Sequence, residues 1–194
     1  MAAKIQPHPI YASYSDTGFD VLRMDASTHT LQTIEYEHHE IHSGSSYFVV
    51  RSELLESAGD AEVRIATPDT NKYAHMTIEV DSAIAATVEL WAGTTKTHEA
   101  GNAITPLNRD FNSTNSSGLT ICHTPGGAQA GNANLIQYVG AASVSGKVAE
   151  GGGVSSRHEF ILKRNTAYYI KATSRADGNA ISIILDWYEH TDRS

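Results

Sequence analysis

The stretch AISIILDWYEH, residues 180–190, carries the clearest fold signal in this sequence. Apolar residues occupy alternate positions along it: Ile181, Ile183, Leu185 and Trp187. Polar residues fall on the opposite face, among them Ser182, Asp186 and His190. Successive side chains of a β-strand point to opposite faces, so this alternation predicts a strand with one face in a core and one face outside it. Such half-buried strands are typical of antiparallel sheets.

The same period of two recurs along the chain. In HMTIEV (75–80), the inward residues are Met76, Ile78 and Val80. In AATVELWA (85–92), they are Ala86, Val88 and Leu90. In AYYIKAT (167–173), they are Tyr168, Ile170 and Ala172. We predict further strands over residues 47–51, 62–67, 119–123, 134–139 and 159–162. Roughly ten strands with little helical periodicity predict an all-β chain, a two-sheet antiparallel β-sandwich of the jelly-roll type.

Two local signals refine this outline. SELLESAGD (52–60) is the one segment that favours a short helix, with Ser52 as its N-cap and Gly59 as its end. Asp177-Gly178 lies between the last two predicted strands. Because glycine accepts the positive φ of a tight turn, this pair predicts a β-hairpin.

The length of 194 residues suits one domain with an appended segment. Residues 1–30 contain Pro7, Pro9 and Gly18 and show weak periodicity, which predicts an extended N-terminal arm ahead of a sandwich domain at 31–194. Residues 101–156 are rich in Gly, Asn, Ser and Ala and predict long loops. Loops of this length are usually functional or ordered by a partner.

Composition excludes several classes of function. The formal net charge of -8 disfavours a nucleic-acid groove or an anionic membrane as the main partner, because both require clustered Lys and Arg. Cys122 is the single cysteine, so no intrachain disulfide forms, and its apolar context, LTICH, predicts a buried thiol rather than a nucleophile. The sequence lacks a signal-peptide pattern and an apolar run of about 18 residues, so we expect a soluble cytoplasmic product.

The segment IEYEHHEIHSG (34–44) is the strongest candidate for metal chemistry. On a strand, His38, Glu40 and His42 would share a face at steps of about 7 Å. That spacing is poor for one ion, and HEIH is one residue short of the helical zinc-protease motif. We therefore predict no metal, no cofactor and no catalytic residue, while a cupin-like metalloprotein remains a remote third alternative.

Four phrases together resemble a known group of proteins: IEYEHHEIHSGSSYFVV (34–50), TPDTNKYAHMTIEV (67–80), AITPLNRDFNSTNSSG (103–118) and EFILKRNTAYYIKATSRADGNAISIILDWYEHTD (159–192). They resemble virion structural proteins of tailed bacteriophages and prophages, jelly-roll subunits that decorate or cement the capsid, often as trimers. The resemblance spans roughly residues 34–192 and carries over no catalytic residue.

The resemblance implies a non-enzymatic protein, made in the host bacterial cytoplasm and located on the capsid surface of the virion. It implies the major capsid protein as partner and a homotrimer as assembly state, and it does not separate head from tail. Within the arm, the apolar residues Ile5, Ile10, Tyr11 and Phe19 are the candidate capsid contacts. The alternative is a receptor- or carbohydrate-binding domain of a tail fibre, for which Trp91 on an outward face is the candidate aromatic.

Overall fold

The computed structural model describes residues 11–15, 18–21, 36–139 and 159–191. For residues 11–15, 18–21, 36 and 37 it describes the backbone alone. The chain divides into two compact units, Met1–His39 and Glu40–Ser194.

The elements follow one another in a mainly β chain. They are β1 (Tyr11–Ser15), β2 (Gly18–Val21), α1 (Tyr36–His42), β3 (Ser46–Leu55), β4 (Asp60–Ala66), β5 (Lys72–Ser82), β6 (Ala86–Ala92), the 3-10 turn η1 (Ala100–Asn102), β7 (Ala103–Ile104), β8 (Leu107–Asn108), β9 (Thr120–His123), β10 (Leu135–Val139), β11 (Glu159–Leu162), β12 (Ala167–Ser174) and β13 (Asn179–Thr191). All five segments that the sequence predicts as further strands are strands in the structure.

Two antiparallel sheets pack face to face. Sheet 1 has the order β10-β6-β12-β4-β9-β7 and sheet 2 the order β11-β5-β13-β3-β8. Eight of the strands pair in a nested way: β3 with β13, β4 with β12, β5 with β11 and β6 with β10. This is the pairing of a long hairpin rolled into two sheets, and it confirms the predicted jelly-roll-like sandwich.

The core lies between the two sheets and is built from the alternate residues that the sequence predicts. Ile181, Ile183, Leu185 and Trp187 of β13 are all buried. Inward residues of β5, β6 and β12 pack in the same cluster, namely Met76, Ile78, Val80, Ala86, Val88, Leu90, Tyr168, Ile170 and Ala172. The predicted inward faces are therefore confirmed, and Trp187 donates its indole N–H to the buried carboxylate of Glu189 at 3.0 Å.

The turn at Asp177-Gly178 exists, but the predicted hairpin is wrong. Gly178 has a φ of 68°, as the turn requires. However, β12 pairs with β4 and β6 in sheet 1, whereas β13 pairs with β3 and β5 in sheet 2. A tight turn reverses the chain over a few residues, but it does not determine which neighbours the two strands hydrogen-bond. Here the turn passes the chain from one sheet to the other.

The helix predicted over residues 52–60 is also wrong. Strand β3 continues to Leu55, paired with β13 from Ser46–Tyr188 to Leu55–Asn179. Leu55 is buried while Leu54 is exposed, so the two adjacent leucines lie on opposite faces of a strand. Ten consecutive cross-strand pairs outweigh the weak helical propensity of this segment.

The strand geometry considered for residues 34–42 does not occur over residues 36–42, which form helix α1. The helix ends at Gly44, whose φ of +70° is accessible to glycine, and whose N–H bonds to the carbonyl of Ile41 at 3.0 Å. The Glu40 carboxylate is buried and accepts hydrogen bonds from the Ser43 and Ser45 hydroxyls. These local bonds to serines just beyond the helix favour a helical turn over an extended strand.

The predicted arm at residues 1–30 is described only in part. Strands β1 and β2 pair as an antiparallel hairpin, from Tyr11–Val21 to Ser15–Gly18. The extended arm over residues 1–30 stays a prediction. The remaining residues of 1–30 lie outside the described part of the chain.

The segment predicted as long loops, 101–156, is more structured than its composition suggests. The short strands β7 and β8 join the far edges of sheet 1 and sheet 2. The Gly118 N–H donates to the Glu189 carboxylate at 3.0 and 3.1 Å, which ties this segment to the last core strand. Residues 140–158 lie outside the described part.

Candidate interaction surfaces

Large exposed apolar side chains gather in two patches on the described surface. The first, here the edge patch, consists of Leu135, Ile136, Tyr138, Phe160 and Ile161. The second, here the face patch, consists of Val50, Leu54, Leu107 and Phe111. These nine are all of the exposed large apolar residues in the described chain. Contiguous apolar patches mark interaction sites more often than single exposed residues do.

The edge patch wraps around one side of the sandwich. Strands β10 and β11 are the outermost strands of sheet 1 and sheet 2 on the side where β6 and β5 lie next to them. Leu135 pairs with Leu90 and Phe160 with Met76, so both face inward at the open rim of the core. Ile136, which is 58% exposed, points to the outer face of sheet 1. Ile161 pairs with His75 and therefore points to the outer face of sheet 2, so the residues of the edge patch are divided between the two outer faces and the rim between them.

The face patch lies at the other end of sheet 2. Val50 and Leu54 are four residues apart on the outer face of β3. Leu107 of β8 pairs with Phe48 of β3 and extends the same face, and Phe111 follows β8 at 81% exposure. The outer face of β3 and β8 is thus an apolar surface open to solvent.

A hydrogen-bonded cluster of titratable side chains lies beside the edge patch, on the outer face of sheet 2. The Glu159 carboxylate lies 2.5 Å from Nδ1 of His75 and accepts the Tyr188 hydroxyl at 2.8 Å. Nε2 of His75 lies 2.7 Å from Nε2 of His190. The His75 and Tyr188 rings stack with centroids 4.8 Å apart. The cluster links β5, β11 and β13, and sequence reasoning missed it because its members are up to 115 residues apart.

The outer face of sheet 1 carries a second polar network under a cover of loops. Glu62 accepts the hydroxyl of Tyr169 and the ammonium of Lys96, the latter at 3.0 Å. Burial, and then the hydrogen bond and charge of Glu62, raise the pKa of Tyr169 far above its ordinary value. Trp91 stacks on Tyr169 at 5.0 Å.

Trp91 is not the exposed aromatic that the carbohydrate-binding alternative requires. It is 7% exposed, and its indole N–H donates to the Gly131 carbonyl at 3.3 Å. The loop that covers it is held by a bridge between Thr97 and Gly126 and by the bond from Thr95 to Ala128. In this structure, Trp91 lies on an outward strand face that the chain itself covers.

The predicted arm contacts are only partly placed. Tyr11 and Phe19 fall on β1 and β2, where Phe19 is opposite Ser13. Ile5 and Ile10 lie outside the described residues. The capsid-contact role of these four residues stays a prediction.

The structure also locates the residues considered for metal and thiol chemistry. His38 and His42 are exposed positions of α1, so the shared strand face assumed for them does not exist. Among the described residues, no group of three or more His, Cys, Asp or Glu side chains is arranged to hold a metal ion. Cys122 is fully buried on β9, which confirms the predicted buried thiol.

A shallow cleft lies where the β4–β5 connection meets the β11–β12 connection. Thr67, Tyr73, Leu162 and Arg164 contribute to its lining, and the volume open to the centre of a water-sized sphere is about 10 Å³. Small-molecule sites usually enclose roughly 300–1,000 Å³. The two apolar patches are therefore stronger candidates for function than this cleft.

Comparisons with protein-family models, with curated proteins and with solved structures found no match to this chain. Within the described residues, none of the helices has the length and apolar character needed to cross a membrane.

Proposed function

We propose that this chain is a non-enzymatic structural protein of a tailed-phage virion, which binds the capsid exterior as a homotrimer and stabilises the shell. Its partner is the major capsid protein. The observation that carries the proposal is the concentration of exposed large apolar side chains in two patches of a jelly-roll sandwich. Exposed apolar side chains favour binding to another protein, because the contact removes apolar surface from water. A decoration subunit needs such a contact with the capsid.

Two further features support the proposal. The phrases that resemble phage decoration proteins, residues 34–50, 67–80, 103–118 and 159–192, include much of the two sheets. In addition, a shell subunit needs a rigid body that keeps its shape under load. The 13-residue strand β13 is hydrogen-bonded to β3 on one side and to β5 on the other, which makes the centre of sheet 2 rigid.

The tail-fibre alternative loses Trp91 as its candidate ring, while Phe111 and Tyr138 are exposed aromatic side chains. Sugar recognition uses an aromatic ring that a ligand can stack on. Trp91, the candidate ring, is covered by the loop that contains Gly131. Tyr138 is an exposed aromatic, but the Arg175 guanidinium lies over its ring at 4.7 Å and occupies one face of it.

The test is binding to capsids. Shells that lack this protein, prepared from the phage or prophage that encodes it, are mixed with the purified full-length chain and sedimented. We expect the chain to co-sediment at a saturating, fixed ratio to the major capsid protein and to raise the temperature at which shells open. Absence of co-sedimentation would remove the decoration proposal and favour the tail-fibre alternative.

The arm is tested in the same assay with full-length variants. Ile5→Glu combined with Ile10→Glu should weaken capsid binding if these residues are apolar anchors, because a buried unpaired carboxylate is costly. Gln6→Glu is the matched control, since it adds a charge between them. Equal binding by all three proteins would leave decoration standing and exclude an anchoring role for the arm.

A further inference from the structure

We propose that His75 and His190 form a binding site for a divalent transition-metal ion, with Nε2 of each ring as a ligand. The site belongs to the hydrogen-bonded cluster on the outer face of sheet 2. Its occupant is an ion that binds imidazole in a square coordination geometry, as Cu²⁺ and Ni²⁺ do. This inference is independent of the decoration proposal, and it concerns residues other than 34–42, from which the sequence predicts no metal.

The first argument is that the two imidazole rings meet across neighbouring strands. His75 lies on β5 opposite Tyr188 of β13, and His190 lies on β13 opposite Tyr73 of β5. The two histidines are therefore diagonal neighbours on one face of an antiparallel pair, where long side chains are within reach of each other. Their Nε2 atoms are 2.7 Å apart and their ring centroids 4.4 Å apart. The two nitrogens are close enough to bind one ion.

The second argument is the position of the ring protons, which the hydrogen bonds assign. Nδ1 of His75 lies 2.5 Å from the Glu159 carboxylate, and Nδ1 of His190 lies 3.0 Å from the carbonyl oxygen of Thr191. Carboxylate and carbonyl oxygens only accept, so each Nδ1 carries the proton of its neutral ring and each Nε2 carries a lone pair. Two lone pairs that meet at 2.7 Å repel each other, and a cation between them replaces this repulsion with attraction.

The third argument is the distance between the two ligand atoms. With metal–nitrogen bonds of about 2.0–2.1 Å, two ligands at 90° are about 2.9 Å apart, whereas two ligands at the tetrahedral angle are about 3.3 Å apart. The observed 2.7 Å is nearer to the first value. A square or tetragonal ion therefore fits with the smaller movement of the rings, and this geometry is typical of Cu²⁺ and Ni²⁺.

The fourth argument is the support behind the two ligands. Histidines that bind a metal almost always donate their other ring N–H to a carboxylate or a backbone carbonyl, which fixes the ring orientation. His75 has such a partner in Glu159, and His190 has one in the Thr191 carbonyl. The Tyr188 hydroxyl donates to the same Glu159 carboxylate at 2.8 Å, and its ring stacks on His75. Both ligands are thus already held in place.

The fifth argument is access. The side chains of His75 and Glu159 are 15% and 30% exposed, so an ion reaches the site from solvent. Among the described residues, no third His, Cys, Asp or Glu side chain completes a group that could hold a metal. The remaining coordination positions are therefore filled by water or by a donor from another molecule. A chain with a net charge of -8 also attracts cations.

The experiment uses the full chain and Cu²⁺ as the probe. Calorimetric titration measures the number of ions bound and their affinity, and Mg²⁺, which prefers oxygen ligands, is the control ion. His75→Ala and His190→Ala each remove one ligand. The matched control combines His38→Ala with His42→Ala, which removes two exposed histidines four positions apart on helix α1. Circular dichroism verifies that each variant is folded.

We expect wild type and the helix double variant to bind Cu²⁺ at this site with equal affinity, and neither to bind Mg²⁺ there. His75→Ala and His190→Ala should each weaken Cu²⁺ binding by at least about 100-fold, because the loss of a ligand costs more than the loss of a group behind it. Electron paramagnetic resonance of the wild-type complex should show nitrogen couplings from two imidazoles, and His190→Ala should reduce them to one.

Glu159 is a positioning residue in this site, and it has its own control. Glu159→Ala should weaken Cu²⁺ binding by about 10- to 100-fold, because Nδ1 of His75 loses its acceptor. Glu79→Ala removes the same charge from the outer face of β5, about 13 Å along the strand from His75, and should leave the affinity unchanged. Equal losses in the two variants would overturn the positioning role of Glu159.

Three results would overturn the site itself. They are wild type that binds no Cu²⁺, affinity that survives in both His75→Ala and His190→Ala, and affinity that is lost in the helix double variant. Any of these would leave a shared proton, rather than a metal ion, as the cation between the two rings. The capsid assay is separate, so its outcome does not change the conclusion about the metal site.

Discussion

Two regions on the outer faces of the sandwich, around Trp91 on sheet 1 and around Leu54 on sheet 2, differ in whether the chain covers them. On sheet 1, Trp91 and Tyr169 face away from the core yet are 7% and 1% exposed, because the loops around residues 94–97 and 126–131 lie over them. On sheet 2, Val50 and Leu54 also face away from the core and are open to solvent. The outward face of a strand is thus exposed or buried according to segments that lie far from it in sequence.

The chemistry of the two faces differs accordingly. Under its loops, sheet 1 carries charges that are paired, as Glu62 is with Lys96 and Tyr169, because a buried charge without a partner is costly. At β3 and β8, the outer face of sheet 2 carries the exposed aliphatic side chains Val50, Leu54 and Leu107, which need no partner inside the chain and gain free energy when another surface covers them. The first face contributes to the stability of the fold, and the second is suited to association.

The largest expected loss of stability comes from removing Trp91, the ring that the loops cover on sheet 1. Trp91→Ala should lower the free energy of unfolding by about 3–5 kcal/mol, a loss comparable to that of Trp187→Ala in the central core, because both indoles are buried and packed. Urea melts of the two variants and wild type measure this. A loss below ~1 kcal/mol for Trp91→Ala would show that the loop does not bury the ring, and the same result for Trp187→Ala would show that the inner face of β13 is misassigned.

The next effect concerns the polar network beneath that cover. Tyr169→Phe removes the hydroxyl that the Glu62 carboxylate accepts, and leaves the carboxylate its ion pair with Lys96. We expect a loss of about 1–3 kcal/mol in urea melts at neutral pH, because the partly buried acceptor loses one of its bonds. The control is Tyr168→Phe, whose hydroxyl binds the exposed Lys163 N–H and should cost less. Equal losses would contradict a special role for the covered network.

Alkaline pH should separate wild type from Tyr169→Phe. The folded state raises the pKa of Tyr169 above its ordinary value of 10.0, chiefly by burial and then by the hydrogen bond and charge of Glu62. The unfolded chain therefore loses this proton first, and the stability that the neutral phenol contributes is complete below pH 10 and decreases above it. We expect the unfolding free energy of wild type to fall more steeply above pH 10 than that of Tyr169→Phe. Parallel pH profiles would contradict the raised pKa.

The smallest expected effect is on the open face of sheet 2. Leu54→Ala should change the unfolding free energy by less than ~0.5 kcal/mol at protein concentrations low enough to keep copies apart, because an exposed side chain has little to lose. At tens of micromolar the same variant should be less stable than wild type, since association stabilises the folded state by mass action. A large loss at low concentration would show that Leu54 is covered within its own chain.

Sequence periodicity predicted the inner faces well and the outer faces poorly. The alternation in 180–190 correctly placed Ile181 to Trp187 in the core, and Trp91 was correctly placed opposite Val88. Whether Trp91 is covered could not be predicted, because Gly131 is 40 residues away. The sequence does not predict the helix at 36–42, because its polar residues show no apolar period of either kind and the bonds from Ser43 and Ser45 to Glu40 leave no signal in a residue pattern.

The sequence by itself determined that this chain is a sandwich of antiparallel strands, because the side-chain period of two is a local property of extended backbone. It also determined where the chain turns at Gly178, because positive φ favours glycine. Only the tertiary structure decided that β12 and β13 part into different sheets, that Trp91 is covered and Leu54 is not, and that His75, Glu159 and His190 meet. Those outcomes depend on hydrogen bonds and packing between segments tens of residues apart, for which no local pattern carries a signal.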